Sequence, residues 1–401
     1  MNILMLHNRY LQPGGEDRSA EADAELLKEY GCRVELLEED NRRIESLGKA
    51  RTAGRAVWSV ESFRRLQNIL RSGHFDVVHV QNFFPLWSPS VYYAAARCGV
   101  AVVQTLHNYR LMCLNALFFR DHHICEDCLG GFFPWAGIVH ACYRQSRMGS
   151  AAVAAMIGWH RMIRTWYSKV DAYIAVSEFV REKYMAGGFP PGKIAVRPNF
   201  LHPSPVPGSG GGGFCLFVGR LSPEKGIAVM LEAWRTAHNP LPLKIVGDGP
   251  LRELVSATAR NNPGIEYLGS KAPGEVLDMM RAAESLIFPS ASPESMGRVV
   301  MESLAVGTPV LASRIGPLVS MIVNGKTGRH FEPSDVASLR SELEWCTCNL
   351  DALRRMRSES RRAFEAKYTG PANAELLLAI YRTARESVRK ARERDKSGFN
   401  M

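Results

Sequence analysis

The chain has 401 residues, 46% hydrophobic and 22% charged, with a formal net charge of +10. That length exceeds one ordinary core and predicts two domains of a soluble, globular protein. The absence of any run of about 18 apolar residues argues against a membrane-spanning helix. The absence of zinc-finger, RRM or KH patterns turns the basic charge away from nucleic acid and towards phosphate or an anionic membrane surface.

Met1–Leu6 has no basic region and no cleavage site and reads as a first strand rather than a signal peptide. With nine cysteines and no secretory signal, a cytoplasmic location is expected, with thiols or a metal rather than disulfides. Asn2–His7 is that strand, followed by the loop Asn8–Gly15 with its Pro13-Gly14-Gly15 turn and a helix over Glu16–Tyr30. Arg33–Leu37, Phe75–Gln81, Ala101–Leu106, Val170–Val176 and Ile194–Arg197 are further strands. Continuous apolar strands separated by helices predict a parallel sheet covered on both faces. The run His202–Gly213, rich in Pro, Gly and Ser, reads as a linker. The pattern then restarts, with strands over Phe214–Val218, Leu243–Val246, Ile265–Leu268, Leu286–Pro289 and Pro309–Ala312. The expected division is a first domain over 1–203 with an insert at 108–150, a linker over 204–213, a second domain over 214–370, and a C-terminal helix with a basic tail over 371–401. Two such α/β domains predict a cleft at the carboxyl ends of their strands.

Chemistry concentrates in the loops of the second half. Gly219-Arg-Leu-Ser-Pro-Glu-Lys-Gly226 joins a strand to a helix and offers Arg220 and Lys225. Two cations at a helix start suit a diphosphate, and a solvated loop with ordinary surface charges is the bland alternative. Gly247-Asp-Gly-Pro250 and Tyr267-Leu-Gly-Ser270 end the next two strands and allow a ligand to approach closely. Ser292-Pro-Glu-Ser-Met-Gly-Arg-Val-Val-Met-Glu302 sets Glu294 in a loop, Gly297 at a helix start and Glu302 eight residues beyond Glu294. A helix start favours an anion, and two carboxylates suit hydroxyl-rich groups on either side of it.

Taken together, these loops resemble glycosyltransferase family 4, the retaining, nucleotide-sugar-dependent transferases of the GT-B fold. The resemblance covers both halves and is strongest over Phe214–Phe331. It implies an α/β, GT-B architecture with two Rossmann-like domains facing a cleft. It implies that Arg220 and Lys225 hold the donor diphosphate, that Glu294 binds sugar hydroxyls and that Glu302 binds the ribose. Gly219, Gly247, Ser295, Met296 and Gly297 complete the donor site, and Gly14 and Gly15 reach the diphosphate from the first domain. His107, at the end of the strand Ala101–Leu106, is expected to position the transferred sugar and acceptor; His7 is a weaker candidate for acceptor contact. The implied reaction moves a sugar from a nucleoside-diphosphate sugar to a hydroxyl of a glycan or lipid-linked acceptor, in cell-surface polysaccharide synthesis, without a catalytic metal. A nucleotide-sugar 2-epimerase of the same architecture and a non-catalytic nucleotide-sugar-binding protein are the alternatives.

The insert carries Cys113, Cys125, Cys128 and Cys142. Its C-x2-C pair is half of a structural zinc site, and free buried thiols are the alternative. Phe132-Phe-Pro-Trp135 and Trp159–Lys169 mix aromatic and basic residues. They suit either an interfacial helix at the cytoplasmic face of an anionic membrane or a helix packed in the first domain.

Overall fold

The computed structural model describes residues 1–11 and 14–398, so Pro13 and the last residues of the basic tail lie outside the description. The chain divides into two compact units. One comprises Met1–Leu117, Glu126–Asn199 and Pro371–Met401, and the other Phe118–Cys125 and Phe200–Gly370.

In chain order the strands of the first unit are β1 (Asn2–Arg9), β2 (Arg33–Asp40), β3 (Val77–Val80) and β4 (Ala101–Leu106). The short strands β5 (Phe119–Arg120) and β6 (His123–Ile124) pair as an antiparallel hairpin that belongs to the second unit. β7 (Ala172–Ala175) and β8 (Ile194–Val196) complete the first sheet. Its order is β2-β1-β3-β4-β7-β8 and every pairing is parallel, as in Ile3 opposite Val77 and Val77 opposite Ala101. A sheet covered on both faces has no polar side, which is why its central strands are mostly apolar, with His79 and Gln104 as buried exceptions. The helix Gly370–Gly398 closes one face of this core, with Leu377 and Tyr381 packed among Ile3, Val77, Val103 and Ile174. The C-terminal helix is thus a core element of the first unit.

The second sheet is built from β9 (Cys215–Val218), β10 (Leu243–Val246), β11 (Ile265–Gly269), β12 (Ser285–Phe288), β13 (Val310–Ser313) and β14 (Gly328–Phe331). It too is wholly parallel, in the order β11-β10-β9-β12-β13-β14. Two doubly wound parallel units, as the sequence predicts, are present. The edge strand β14 carries Arg329 and His330 between its buried ends, so it lacks the apolar run that marks the other strands. A Cβ at Gly328 would meet the Val310 carbonyl oxygen at 2.0 Å, so β14 pairs only because that residue is glycine.

The Pro/Gly/Ser run, mostly exposed, lies within the second unit and is tied to it through its backbone. Gly208, Gly210 and Gly212 donate their N–H groups to the carbonyls of Val306, Arg281 and Ala282, each at 2.9 Å. Arg357 reaches back to the Gly208 carbonyl (3.2 Å) and also caps the carbonyls of Ala283 (3.0 Å) and Arg281 (2.9 Å). A run without core-forming side chains is held here by its backbone, a source of order that side-chain pattern does not reveal.

Strand order reverses between β1 and β3 in the first unit and between β9 and β12 in the second. In open α/β sheets, ligands bind outside the carboxyl ends of the strands that flank such a reversal. Among the described residues no helix is long and apolar enough to cross a membrane.

Candidate active site

The loops that follow β9 and β12, neighbours at the reversal of the second sheet, carry Arg220, Lys225 and Glu294. Lys225 Nζ lies 2.5 Å from Glu294 Oε1, with both side chains about a fifth exposed (23% and 17%). The Ser290 hydroxyl is 3.0 Å from the same Oε1, and it is also near the carbonyls of Glu224 (3.2 Å) and Ser292 (3.1 Å). The Lys225 ammonium also sits over the Phe288 ring, 5.4 Å from its centre, a favourable place for a cation.

The two loops touch through backbone. Ala291 donates its N–H to the Glu224 carbonyl at 2.9 Å. Gly226 holds φ at +69°, and a Cβ there would meet the Pro289 carbonyl oxygen at 1.8 Å. Gly247 (φ +142°) packs as closely on Gly219, where a Cβ would lie 1.8 Å from the Gly219 oxygen. Gly219 and Gly247 therefore let the loops after β9 and β10 meet backbone to backbone. Arg220 is exposed, and its guanidinium makes no ion pair or hydrogen bond among the described residues. An exposed guanidinium on the same loop as a fixed ammonium can contribute to anion binding.

After β12 the chain enters the helix Arg298–Ala305, with Gly297 at its N-cap and no capping side chain. The first-turn N–H groups of such a helix lack intrahelical partners. Met296 and Gly297 are buried and Ser295 is half-buried beside that start. Glu302 is not grouped with Lys225; its Oε1 accepts from Arg298 Nε at 3.0 Å, across one turn of its own helix. Sequence reasoning passed over both Ser290 and Arg298. The i,i+4 spacing of Arg298 and Glu302 is the signal that could have found the second.

In the first unit His107 ends β4 and belongs to a buried polar chain. Its Nε2 lies 2.7 Å from Gln81 Oε1, Gln81 Nε2 donates to Asp23 Oδ2 at 2.7 Å, and Arg197 Nη2 donates to Asp23 Oδ1 at 2.6 Å. Burial pushes the Asp23 carboxyl up, but the Arg197 guanidinium outweighs it and holds the group below the usual range. A carboxylate only accepts, so the Gln81 amide must turn its oxygen to His107 and Nε2 must carry the ring proton. Burial lowers the His107 pKa to about 4, partly opposed by Asp23. The neutral ring therefore presents Nδ1 as an acceptor. His107 also borders a pocket lined by Phe84, Gln104, Arg110 and Tyr184.

His7 is fully buried, with Nε2 2.8 Å from Asp17 Oδ1. Asp17 also accepts the Gly14 N–H at 2.7 Å. Burial raises the Asp17 carboxyl, but the bonds from His7 and Gly14 outweigh it and leave it below its usual range. The Gly14 amide is thus committed to a helix cap, and Gly15 begins the helix Gly15–Glu29. Asp17 ties His7, the Tyr10 N–H and the Gly14 N–H together.

Among the described residues no group of three or more His, Cys, Asp or Glu side chains is arranged to hold a metal ion. Cys113 Sγ lies 3.0 Å from Asn115 Oδ1.

Residues 14–204 match the Glycosyltransferase Family 4 model, and residues 207–363 match the model of Glycosyl transferases group 1. An uncharacterized glycosyltransferase of Methanocaldococcus jannaschii is 32% identical over 158 residues, which is 39% of this chain and 44% of that protein. The match therefore spans less than half of that relative's length. A phosphatidyl-myo-inositol mannosyltransferase of Mycobacterium leprae is 28% identical over 282 residues, 67% of this chain and 74% of that protein. Among solved structures, HepE of Anabaena in complex with UDP-glucose superposes with a TM-score of 0.65 at 16% identity, covering 94% of this chain and 98% of that one. By these matches the chain is similar to glycosyltransferases along both of its units, and its two doubly wound parallel units have the fold of the GT-B architecture.

Proposed function

We propose that the protein transfers a sugar from a nucleoside-diphosphate sugar to a hydroxyl of a glycan or lipid-linked acceptor, with retention of anomeric configuration, in cell-surface polysaccharide synthesis. The observation that carries this reading is the meeting of Lys225 and Glu294, 69 residues apart, at the strand-order reversal of the second sheet. A cation suited to phosphate beside a carboxylate suited to sugar hydroxyls fits the two halves of such a donor. That HepE was solved with UDP-glucose supports the donor class, and the lipid named for the mannosyltransferase supports the acceptor class.

In this reading the donor takes over the groups that now hold each other. Lys225 and Arg220 bind the diphosphate and stabilise the charge that grows on it as it leaves. The first-turn N–H groups after Gly297 add a fixed positive end. Glu294 is released to the sugar hydroxyls, and Glu302, oriented by Arg298, binds the ribose. The acceptor proton passes to a departing phosphate oxygen. His107 presents Nδ1 as an acceptor that orients a hydroxyl, and its low pKa keeps it from serving as a proton donor near neutral pH. The reading includes no catalytic metal. A structural zinc at Cys113, Cys125, Cys128 and Cys142 would require their sulfurs to converge, so the metal content of purified protein tests it.

The test is acceptor-dependent release of nucleotide from a panel of nucleoside-diphosphate sugars. Tight binding of a nucleoside diphosphate with turnover of no donor would instead mark a binding protein. Formation of an epimer from donor alone would mark a 2-epimerase.

A further inference from the structure

The helix Arg147–Met162 is apolar on two faces. Val153, Met156 and Ile157 are buried in the first unit, as the packed alternative expected. Met148, Trp159 and Met162 lie on the opposite side, 83%, 46% and 54% exposed. A helix apolar all round calls for apolar surroundings on every side. Beside it, the segment ending in the short helix Trp135–Val139 exposes Phe132 (67%), Trp135 (67%) and Val139 (63%). This segment is seated on the first helix: a Cβ at Gly158 would lie 2.4 Å from the Phe133 ring, and Phe133 packs on Trp135 with ring centres 4.4 Å apart. The exposed side chains of this segment and of the helix it is seated on are thus neighbours on the first unit, the kind of apolar grouping that marks an interaction surface.

Charge identifies what covers it. From Cys128 to Val170 there is no Asp or Glu, while Arg144, Arg147, Arg161, Arg164 and Lys169 are present. Arg144, Arg147 and Arg164 are exposed. The neighbouring helix Lys49–Val57 adds exposed Lys49 and Arg51. Exposed tryptophan and methionine among arginines, with no acidic residue between, complements an anionic lipid surface: rings enter the headgroup layer and guanidiniums meet the phosphates.

We propose that this face docks the first unit on an anionic bilayer. The proposal rests on the preceding reading only in placing the protein where a lipid-linked acceptor resides.

The test is flotation of the full chain with phosphatidylcholine vesicles, with and without phosphatidylglycerol, at low and high salt. Binding should need phosphatidylglycerol and weaken with salt. Replacing Arg144, Arg147 and Arg164 by Gln should weaken it on the order of 100-fold, about five-fold per arginine from about 1 kcal/mol each. The pair Trp135→Ser and Trp159→Ser should reduce binding at either salt concentration. Both variants alter exposed side chains, so unchanged melting temperature and unchanged UDP binding are the controls for folding. Failure of the wild type to float, flotation that ignores phosphatidylglycerol, or variants that float like the wild type would overturn the proposal. So would a stable dimer that the tryptophan pair dissociates, which would make this face an interface between copies. Loss of UDP binding or transfer with flotation intact would sink the donor reading and leave the docking surface standing.

Discussion

Lys225 Nζ and Glu294 Oε1 are 2.5 Å apart, although one residue follows β9 and the other follows β12. Each neutralises the other while no donor is bound, so replacing either one releases its partner as well as removing a ligand contact. Lys225→Ala should lower kcat on the order of 10²–10³-fold, the usual cost of removing one group aimed at developing charge. Because the pair is partly exposed, the melting temperature should change little. A kcat within a few-fold of wild type would remove Lys225 from the site.

Glu294→Gln separates sugar from phosphate. Binding of the nucleoside diphosphate should persist, while the added affinity of the sugar nucleotide over that diphosphate should fall. Calorimetry with both ligands measures the difference, and an unchanged difference would show that the carboxylate does not touch the sugar.

Gly226→Ala probes the contact between the two loops. The new methyl would lie 1.8 Å from the Pro289 oxygen at a φ of +69°. The strained backbone alone costs about 1–2 kcal/mol, and the clash adds to it. Urea denaturation should show a loss above about 2 kcal/mol together with weakened nucleotide binding. A fully stable variant with normal binding would mean that the loops separate freely.

Arg357→Ala tests the anchoring of the Pro/Gly/Ser run. The guanidinium donates to three backbone carbonyls and to Thr308 Oγ1 (3.1 Å). Removing it strands buried acceptors and should destabilise the second unit by about 3 kcal/mol or more. The expected readout is an earlier unfolding transition that nucleotide shifts back upward, since nucleotide is proposed to bind that unit.

Stability should fall as pH is lowered through a defined window. Burial lowers His107 to about 4 and His79 to about 3, from an ordinary value of 6.5. Between 6.5 and about 4 the unfolded chain takes up protons that the folded histidines refuse, so stability rises with pH across that interval and is lost on acidification. Asp17 and Asp23, held below their ordinary value of 3.8, add a further loss only at lower pH. Denaturation midpoints at pH 7 and pH 5 check the first window, and His107→Gln should shrink the difference while leaving the part due to His79. A profile level from pH 7 to 5 would show that the ring is not desolvated.

Local pattern carried much of this protein. Unbroken apolar runs such as Cys215–Val218 and Leu286–Phe288 announce parallel strands because both faces of the sheet are covered. Arg220, Lys225, Glu294 and Glu302 stand out because a strand end followed by a helix start is where such side chains can meet a ligand. The sequence alone therefore determined two doubly wound units and the loops that carry their chemistry. Contacts between residues far apart in the chain leave no local trace, and the tertiary structure decided them. It set Ser290 and Lys225 on Glu294 but turned Glu302 to Arg298, committed the Gly14 amide to Asp17, and bound the apparent linker by its backbone. It also ran a buried relay from Arg197 through Asp23 and Gln81 to His107, four residues from separate elements. That relay decides which nitrogen of His107 carries the proton, because a buried carboxylate can only accept and every donor along the chain must face it in turn.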